Sequence, residues 1–240
     1  MSREDELREA LYDGTLHGRV AEVRGLTEEA IALEMDPMDV LFQALIPSLE
    51  EVGRRFERGD YFVPEMLIAA KAMQAALGLL RPLLAQTGAK PIGKYVMGTV
   101  KGDIHDIGKN LCIIMLEGAG FEVLDLGVNV APERFVEAVA ANEPHIVGFS
   151  AFLTTTMPMF KVNLDALTKA GLRDRVQVMV GGATVTEDYA KQVGADAYAP
   201  DASTATRMAK TLVGIVEDQR NARIEEAVGR IEAVIRGIQE

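Results

Sequence analysis

Tryptophan is absent from the sequence and aromatic residues make up only 5% of it, which argues against the stacked aromatic platforms that hold single-stranded nucleic acid. Basic residues are also in deficit. Lys and Arg number 25 against 36 Asp and Glu, the net charge is −11 at pH 7, and there is no basic cluster. Such a chain is a poor partner for nucleic acid and for an anionic membrane surface. Cys112 is the single cysteine, so no internal disulfide can form, which fits a reducing, cytoplasmic compartment. No run of 18 uninterrupted apolar residues occurs, so no transmembrane helix is expected. The opening residues, MSREDELREALYDG, are acidic and lack the apolar stretch of a secretory leader.

What is present is enough apolar material, 48% of 240 residues, for a sizeable core. It is distributed with two different periods. Over the first ~88 residues the period is helical: Leu41, Leu45, Leu49, Val52 and Phe56 form one stripe, and Met66, Ala69, Ala70, Met73, Ala76, Leu77, Leu80 and Leu84 form another. Asp36-Pro37 reads as N-cap and first helical residue, Gly59-Asp60 as the stop, and Val63-Pro64-Glu65 as the next start. With two shorter helices expected near 3–12 and 15–34, residues 1–88 read as a four-helix bundle. Residues 89–92 continue a Gly/Pro linker that begins at Thr87. From 93 to 214 short β-rich runs alternate with helical ones. The runs are Tyr95–Val100, Phe121–Leu126, His145–Ser150, Val176–Val180 and Ala197–Ala199. That alternation predicts a five-stranded parallel sheet covered on both faces, an α/β doubly wound fold of flavodoxin or Rossmann type. In residues 215–240, Ile224, Val228, Ile231, Ile235 and Ile238 recur alternately four and three apart. This predicts an amphipathic helix that either packs on its own domain or seats a second subunit.

In a doubly wound fold the functional groups stand in the loops after the strands. The first such loop is Gly102-Asp103-Ile104-His105-Asp106-Ile107-Gly108. A neutral imidazole binds a metal through one nitrogen while the other donates to a carboxylate, and Asp103-x-His105 can supply that pair. The bland reading is a solvated loop capping the next helix. His17 reads as a surface residue and His145 as structural, and with one cysteine there is no obvious zinc site. A metal under His105 would need its other ligands from elsewhere, for instance a macrocycle. The third strand runs into Ser150-Ala151-Phe152-Leu153-Thr154-Thr155-Thr156, whose hydroxyls suit either a polar ligand or the cap of the following helix. The fourth ends in Gly181-Gly182, which suits a ligand lying against bare backbone or a tight turn. Together these three loops describe a ligand lying along a slot.

Asp103-x-His105-x-x-Gly108, with Ser150 and Gly181-Gly182, resembles the cobalamin-binding signature of methyltransferase-associated corrinoid proteins and cobalamin-dependent methionine synthase. The longer segments GTVKGDIHDIGKN, SAFLTTTM, VGGATVT and GADAYAPDA agree, and EVGRRFERGDYFVPEMLIAAKAM resembles the helical cap that precedes such a domain. The likeness spans residues ~1–213; it departs at Phe152, where the family usually has leucine.

The resemblance implies a cobalamin, methylated on its cobalt, or another corrinoid. His105 would be the lower axial ligand and the metal-binding residue, Asp103 its hydrogen-bond partner, and Thr156 the hydroxyl completing the relay. Asp106, Ile107 and Gly108 would border the corrin. Ser150, Phe152, Thr154, Gly181 and Gly182 would line the slot for the nucleotide tail. Phe62 and Met66 would be presented over the cobalt by the cap, with bundle core as their bland reading. The implied function is that of a carrier, not catalytic alone, which takes a methyl group from a substrate-specific methyltransferase and delivers it to a second one. A reductive activase is a further implied partner, and a homo-oligomer through residues 215–240 another. The cap would have to swing on a hinge near 87–92. A cobalamin-dependent DNA-binding regulator is disfavoured by the lack of a basic recognition helix, and a radical mutase by the lack of a large barrel. A receiver-type domain phosphorylated on Asp103 or Asp125 leaves Ser150 and the paired glycines unexplained.

Overall fold

The computed structural model describes residues 2–86 and 91–214, and it opens on a capping box. The Ser2 hydroxyl accepts from the Asp5 N–H, and the Asp5 carboxylate accepts from the Ser2 N–H, so two otherwise orphaned donors are satisfied at the start of α1 (Arg3–Leu16). The sequence pattern breaks the chain at residues 12–15. The structure moves that break to 17–19, because Leu11, Thr15 and Leu16 prolong the buried face and Gly18, at φ +66°, turns the chain into α2 (Val20–Ala32). Asp36 caps α3 (Pro37–Val40) by accepting from the Met38 N–H at 2.8 Å. The helix then widens into a π turn over Leu41–Leu45 before α4 (Ile46–Glu57). Pro47 accounts for the widening, since its ring has no N–H and crowds the carbonyl one turn back. Next comes α5 (Val63–Gln86).

These segments form the expected four-helix bundle, with α3 and α4 as one continuous rod. Its core includes Leu7, Leu11, Leu45, Leu49, Met66, Met73 and Leu80. The stretch Val63–Leu84 reaches a mean hydropathy of 1.4, enough by length and composition to cross a membrane, although Lys71 and Arg81 interrupt it. Here its apolar stripe packs against the other bundle helices and α6.

The second half alternates strictly: β1 (Lys94–Thr99), α6 (Ile107–Gly118), β2 (Glu122–Asp125), α7 (Pro132–Asn142), β3 (Ile146–Ser150), α8 (Met159–Lys169), β4 (Gln177–Gly181), α9 (Glu187–Val193) and β5 (Ala197–Ala199). A further helix, α10, occupies 202–214. All strand pairs are parallel, in the order β2-β1-β3-β4-β5. One face packs Val96, Val147, Phe149 and Val178 against α7, α8 and α9, while the other packs Tyr95, Met97, Ile146 and Met179 against α6 and α10. The strand order reverses between β1 and β3, which opens a crevice at their carboxyl ends.

Both halves press closely on each other. A Cβ on Gly53 of α4 would sit 2.4 Å from the Ser203 hydroxyl, and one on Gly118 of α6 would sit 2.7 Å from Leu49. Ion pairs Glu50–Lys210, Glu57–Arg207 and Arg81–Glu117 border this contact. The hinge and linker expectations fall largely on residues 87–90, and the amphipathic C-terminal helix on 215–240; both lie outside the described residues.

Candidate functional site

The site begins where β1 ends. Gly102 turns there with φ +85°, and its N–H donates to Asn129 Oδ1 at 2.8 Å. The Asn129 N–H donates in turn to the Asp103 carbonyl at 2.9 Å. The Thr99 hydroxyl donates to the His105 carbonyl at 3.0 Å. With the backbone held on both sides, the Asp103 side chain is driven inward and is completely buried.

Five donors meet it there. Oδ1 accepts from the His105 N–H at 3.0 Å and from His105 Nδ1 at 2.8 Å. Oδ2 accepts from the Thr156 hydroxyl at 2.7 Å and from the Phe152 and Leu153 N–H groups at 2.8 and 3.2 Å. Burial by itself raises this carboxyl, but the bonds from Thr156, His105 and Phe152 outweigh burial and hold it below the ordinary carboxylate range. An ionised Asp103 can only accept, so in the neutral imidazole Nδ1 carries the proton and Nε2 presents its lone pair.

This arrangement decides against the capping readings. Asp106 occupies the N-cap position of α6 without making a side-chain cap bond, its carboxylate instead accepting from Asn110 Nδ2 at 3.1 Å. Thr156 does not cap α8 either, because its hydroxyl lies between Asp103 Oδ2 and the Leu153 carbonyl.

His105 borders a cavity of about 700 Å³ between the bundle and the sheet. The strand register sets its floor. Met97, Gly148 and Met179 lie in one row across β1, β3 and β4, and Ser150, Gly181 and Ala199 in a row across β3, β4 and β5. Gly148 leaves room for Tyr95, whose hydroxyl would be 2.5 Å from a Cβ there. Gly182, at φ +139°, would place a Cβ 1.8 Å from the Ala151 carbonyl, so only glycine fits that turn. Gly108 faces open space. The walls are α6, with Leu111 and Cys112, and α10, with Ala202 and Ala205. Burial, aided by the Asp201 carboxylate, pushes the Cys112 thiol up to about 12.

Of the residues singled out in the sequence, His105, Asp106, Ile107, Gly108, Ser150, Phe152, Gly181, Gly182 and Met66 line this cavity. Asp103 and Thr156 stand behind His105. Two do not line it. Thr154 is exposed on the loop, because the turn over 153–157 points Thr156 inward in its place. Phe62, 65% exposed, precedes α5, and the bundle's wall is supplied by Phe56, Val63 and Met66.

Reasoning from the sequence also misses Tyr95, Met97, Gly148, Met179 and Ala199, although their alternation along the strands and a glycine inside β3 are available signals. Lys109 is missed too. Its buried ammonium lines the slot and donates to both Asp125 oxygens at 2.7 Å and to Asn110 Oδ1 at 2.8 Å.

Among the described residues no group of three or more His, Cys, Asp or Glu is placed to hold a metal ion. One oriented imidazole beside a deep, largely apolar slot therefore suits a metal that arrives with its equatorial ligands already in place.

Comparison with known proteins agrees. Residues 93–207 match a family described as B12 binding domain, and residues 7–81 match a second family of the same description. The chain is 40% identical over 215 residues to the dimethylamine corrinoid protein of Methanosarcina barkeri, spanning 89% of this chain and 100% of that protein. It is likewise 40% identical over 192 residues to trimethylamine corrinoid protein 2 of Methanosarcina mazei, 79% of this chain and 88% of that one. Among solved structures it resembles a chain of the methanol:cobalamin methyltransferase complex from Methanosarcina barkeri, with TM-score 0.76 and 30% identity over 88% of this chain and 81% of that chain. A cobalamin-binding protein from Desulfitobacterium hafniense gives TM-score 0.71 and 30% identity over 86% and 98%.

Proposed function

The chain belongs to the corrinoid proteins of methyltransferase systems, and we propose that it carries a methyl group on a cobalamin held under His105. The observation that carries this reading is the buried carboxylate of Asp103, which holds Nδ1 of His105 and leaves Nε2 for the slot. A bound corrinoid supplies a cobalt centre able to accept and release a methyl group.

The remaining work falls to the protein's own groups. His105 would ligate the metal through Nε2. Asp103 keeps the proton on Nδ1, and Thr156 donates to the same carboxylate, so ligand basicity and ring orientation are set together. The buried Asp103 carboxylate would also hold the ring in place whether or not a metal is bound. Ile104, Ile107 and Gly108 would lie along the corrin, while Ser150, Gly181, Gly182 and the small residues Gly148, Ala199 and Ala205 leave room for the nucleotide tail. Phe56, Val63 and Met66 border the slot from the bundle side with apolar surface.

A substrate-specific methyltransferase loads the carrier and a second methyltransferase unloads it. A cap in this position must move aside for each. A reductive activase completes the partners, in the cytoplasm. Reconstitution with hydroxocobalamin tests the reading. After free cofactor is removed, the visible spectrum should be that of a base-off, His-on corrinoid, and His105→Ala should lose the axial coordination while retaining part of the corrinoid. Identical spectra for the two proteins would refute the assignment.

A further inference from the structure

We propose that Phe152 is a positioning residue for His105, fixing the plane of the imidazole while Asp103 fixes its edge. The proposal rests on the corrinoid reading above for its consequence, though not for its geometry. The Phe152 and His105 rings stack with centroids 4.3 Å apart and planes inclined by 22°. The His105 side chain is 45% exposed, and the flanking Ile104 and Ile107 are themselves exposed, so enclosure does not fix the ring.

A hydrogen bond at Nδ1 and the covalent bond at Cγ anchor neighbouring atoms on one edge. Coupled turning about Cα–Cβ and Cβ–Cγ can keep Nδ1 beside Asp103 while it swings Nε2 through an arc, and contact across the ring face restricts that motion. Phe152 is itself held at both ends. Its N–H donates to Asp103 Oδ2 at 2.8 Å, and its carbonyl accepts from the Thr184 hydroxyl at 2.9 Å. The residue before it is tied to β4, where the Ala151 N–H donates to the Gly181 carbonyl at 3.2 Å and the Gly182 turn closes over the Ala151 carbonyl. One carboxylate thus organises both the imidazole and the backbone that carries the stacking ring. A ligand held ready in this way needs no ordering when the metal arrives.

Two variants test the idea, Phe152→Ala and Phe152→Tyr; the position is 46% exposed, so neither empties the core. In the apoprotein, the carbon-bound imidazole protons of His105 should resonate upfield in wild type and in Phe152→Tyr, from the ring current of the stacked neighbour. They should move downfield in Phe152→Ala while the Nδ1 proton remains bonded to Asp103. With hydroxocobalamin bound, the ratio of His-on to His-off corrinoid in Phe152→Ala should fall by about two- to tenfold, and Phe152→Tyr should restore it. Wild-type resonances and a wild-type ratio in Phe152→Ala would overturn the proposal, as would a Tyr variant that behaves like Ala. If wild type takes up no corrinoid, the carrier reading falls, and the apoprotein resonances alone decide for or against the stack.

Discussion

The two walls of the slot are held by different physics. On the sheet side, a polar loop is fixed atom by atom: Asp103 collects five donors, and Asn129, Thr99 and Thr184 pin the backbone around it. On the bundle side, Phe56 and Met66 reach the slot by packing in the bundle core and Val63 from the first turn of α5, all three through apolar side chains that form no hydrogen bond. A hydrogen-bonded wall specifies where one atom must be, as an axial ligand requires. A packed wall specifies only that the surface be apolar, which suffices for the movable shield proposed above. Substitutions on the two sides should therefore fail differently, the bundle side through stability and the sheet side through coordination.

The largest effect is expected at Met66, which belongs to both the bundle core and the slot and is 1% exposed. Truncation to alanine removes buried surface and leaves a void, so Met66→Ala should cost about 2–5 kcal/mol in urea unfolding. Such corrinoid as the folded fraction binds should remain His-on. A variant that unfolds normally but loses the His-on spectrum would reverse the division of labour between the walls.

Asp103→Asn tests the opposite wall. Three donors converge on Oδ2 and two on Oδ1. The amide oxygen is best used where three donors meet, which turns the NH₂ group toward Nδ1 of His105. That nitrogen must then accept, so the imidazole proton moves to Nε2 and occupies the lone pair that the proposed function assigns to the metal. His-on affinity should drop by about 10–100-fold, measured by spectral titration with hydroxocobalamin. An unchanged titration would mean that the carboxylate does not set the tautomer.

The same contrast explains what can be read from the sequence. Asp103, His105, Ser150 and Gly181-Gly182 stand at strand ends, where topology alone dictates that loops meet, and their residue types state their chemistry. The strands themselves are legible to within a residue or so, because alternation and flanking breakers mark them sharply. On the bundle side a one-residue error turns a side chain by about 100°, and this separates Phe62, outside the slot, from Val63, which lines it. Thr154 is misplaced for a related reason: a run of three threonines does not reveal which hydroxyl an irregular turn will direct inward. The slot floor is hidden because Met97, Gly148 and Met179 look like ordinary strand residues until the register places them side by side.

Cys112 offers a smaller, pH-dependent test inside the slot. Its thiol is raised by burial to about 12, whereas an unfolded thiol ionises near about 8.5. Between those values the unfolded chain has released a proton that the folded chain still holds, so alkali favours unfolding and stability declines as pH rises through the window. Cys112→Ala removes that share of the decline. Urea midpoints of the two proteins should therefore converge as pH rises from about 7.5 to about 9.5, if the alanine starts out less stable. Parallel curves would show that the thiol is not shielded. Alkylation of wild type at neutral pH should likewise be slow, and slower still with corrinoid bound.

The smallest effect is expected at Phe62, and it discriminates most sharply between rotations of the bundle wall. Its ring is 65% exposed and outside the slot lining, and its directional contacts, the N–H donating to Glu65 Oε2 at 2.9 Å and the carbonyl accepting from the Met66 N–H at 3.1 Å, belong to the backbone and survive truncation. Phe62→Ala should therefore change unfolding by no more than about 0.5 kcal/mol and leave the His-on spectrum intact. One position later, Val63→Asp would place a carboxylate against the apolar slot and should lower corrinoid retention. If the alanine at 62 rather than the aspartate at 63 released the cofactor, the cap would have to close over the slot in a different rotation of α5 from the one described.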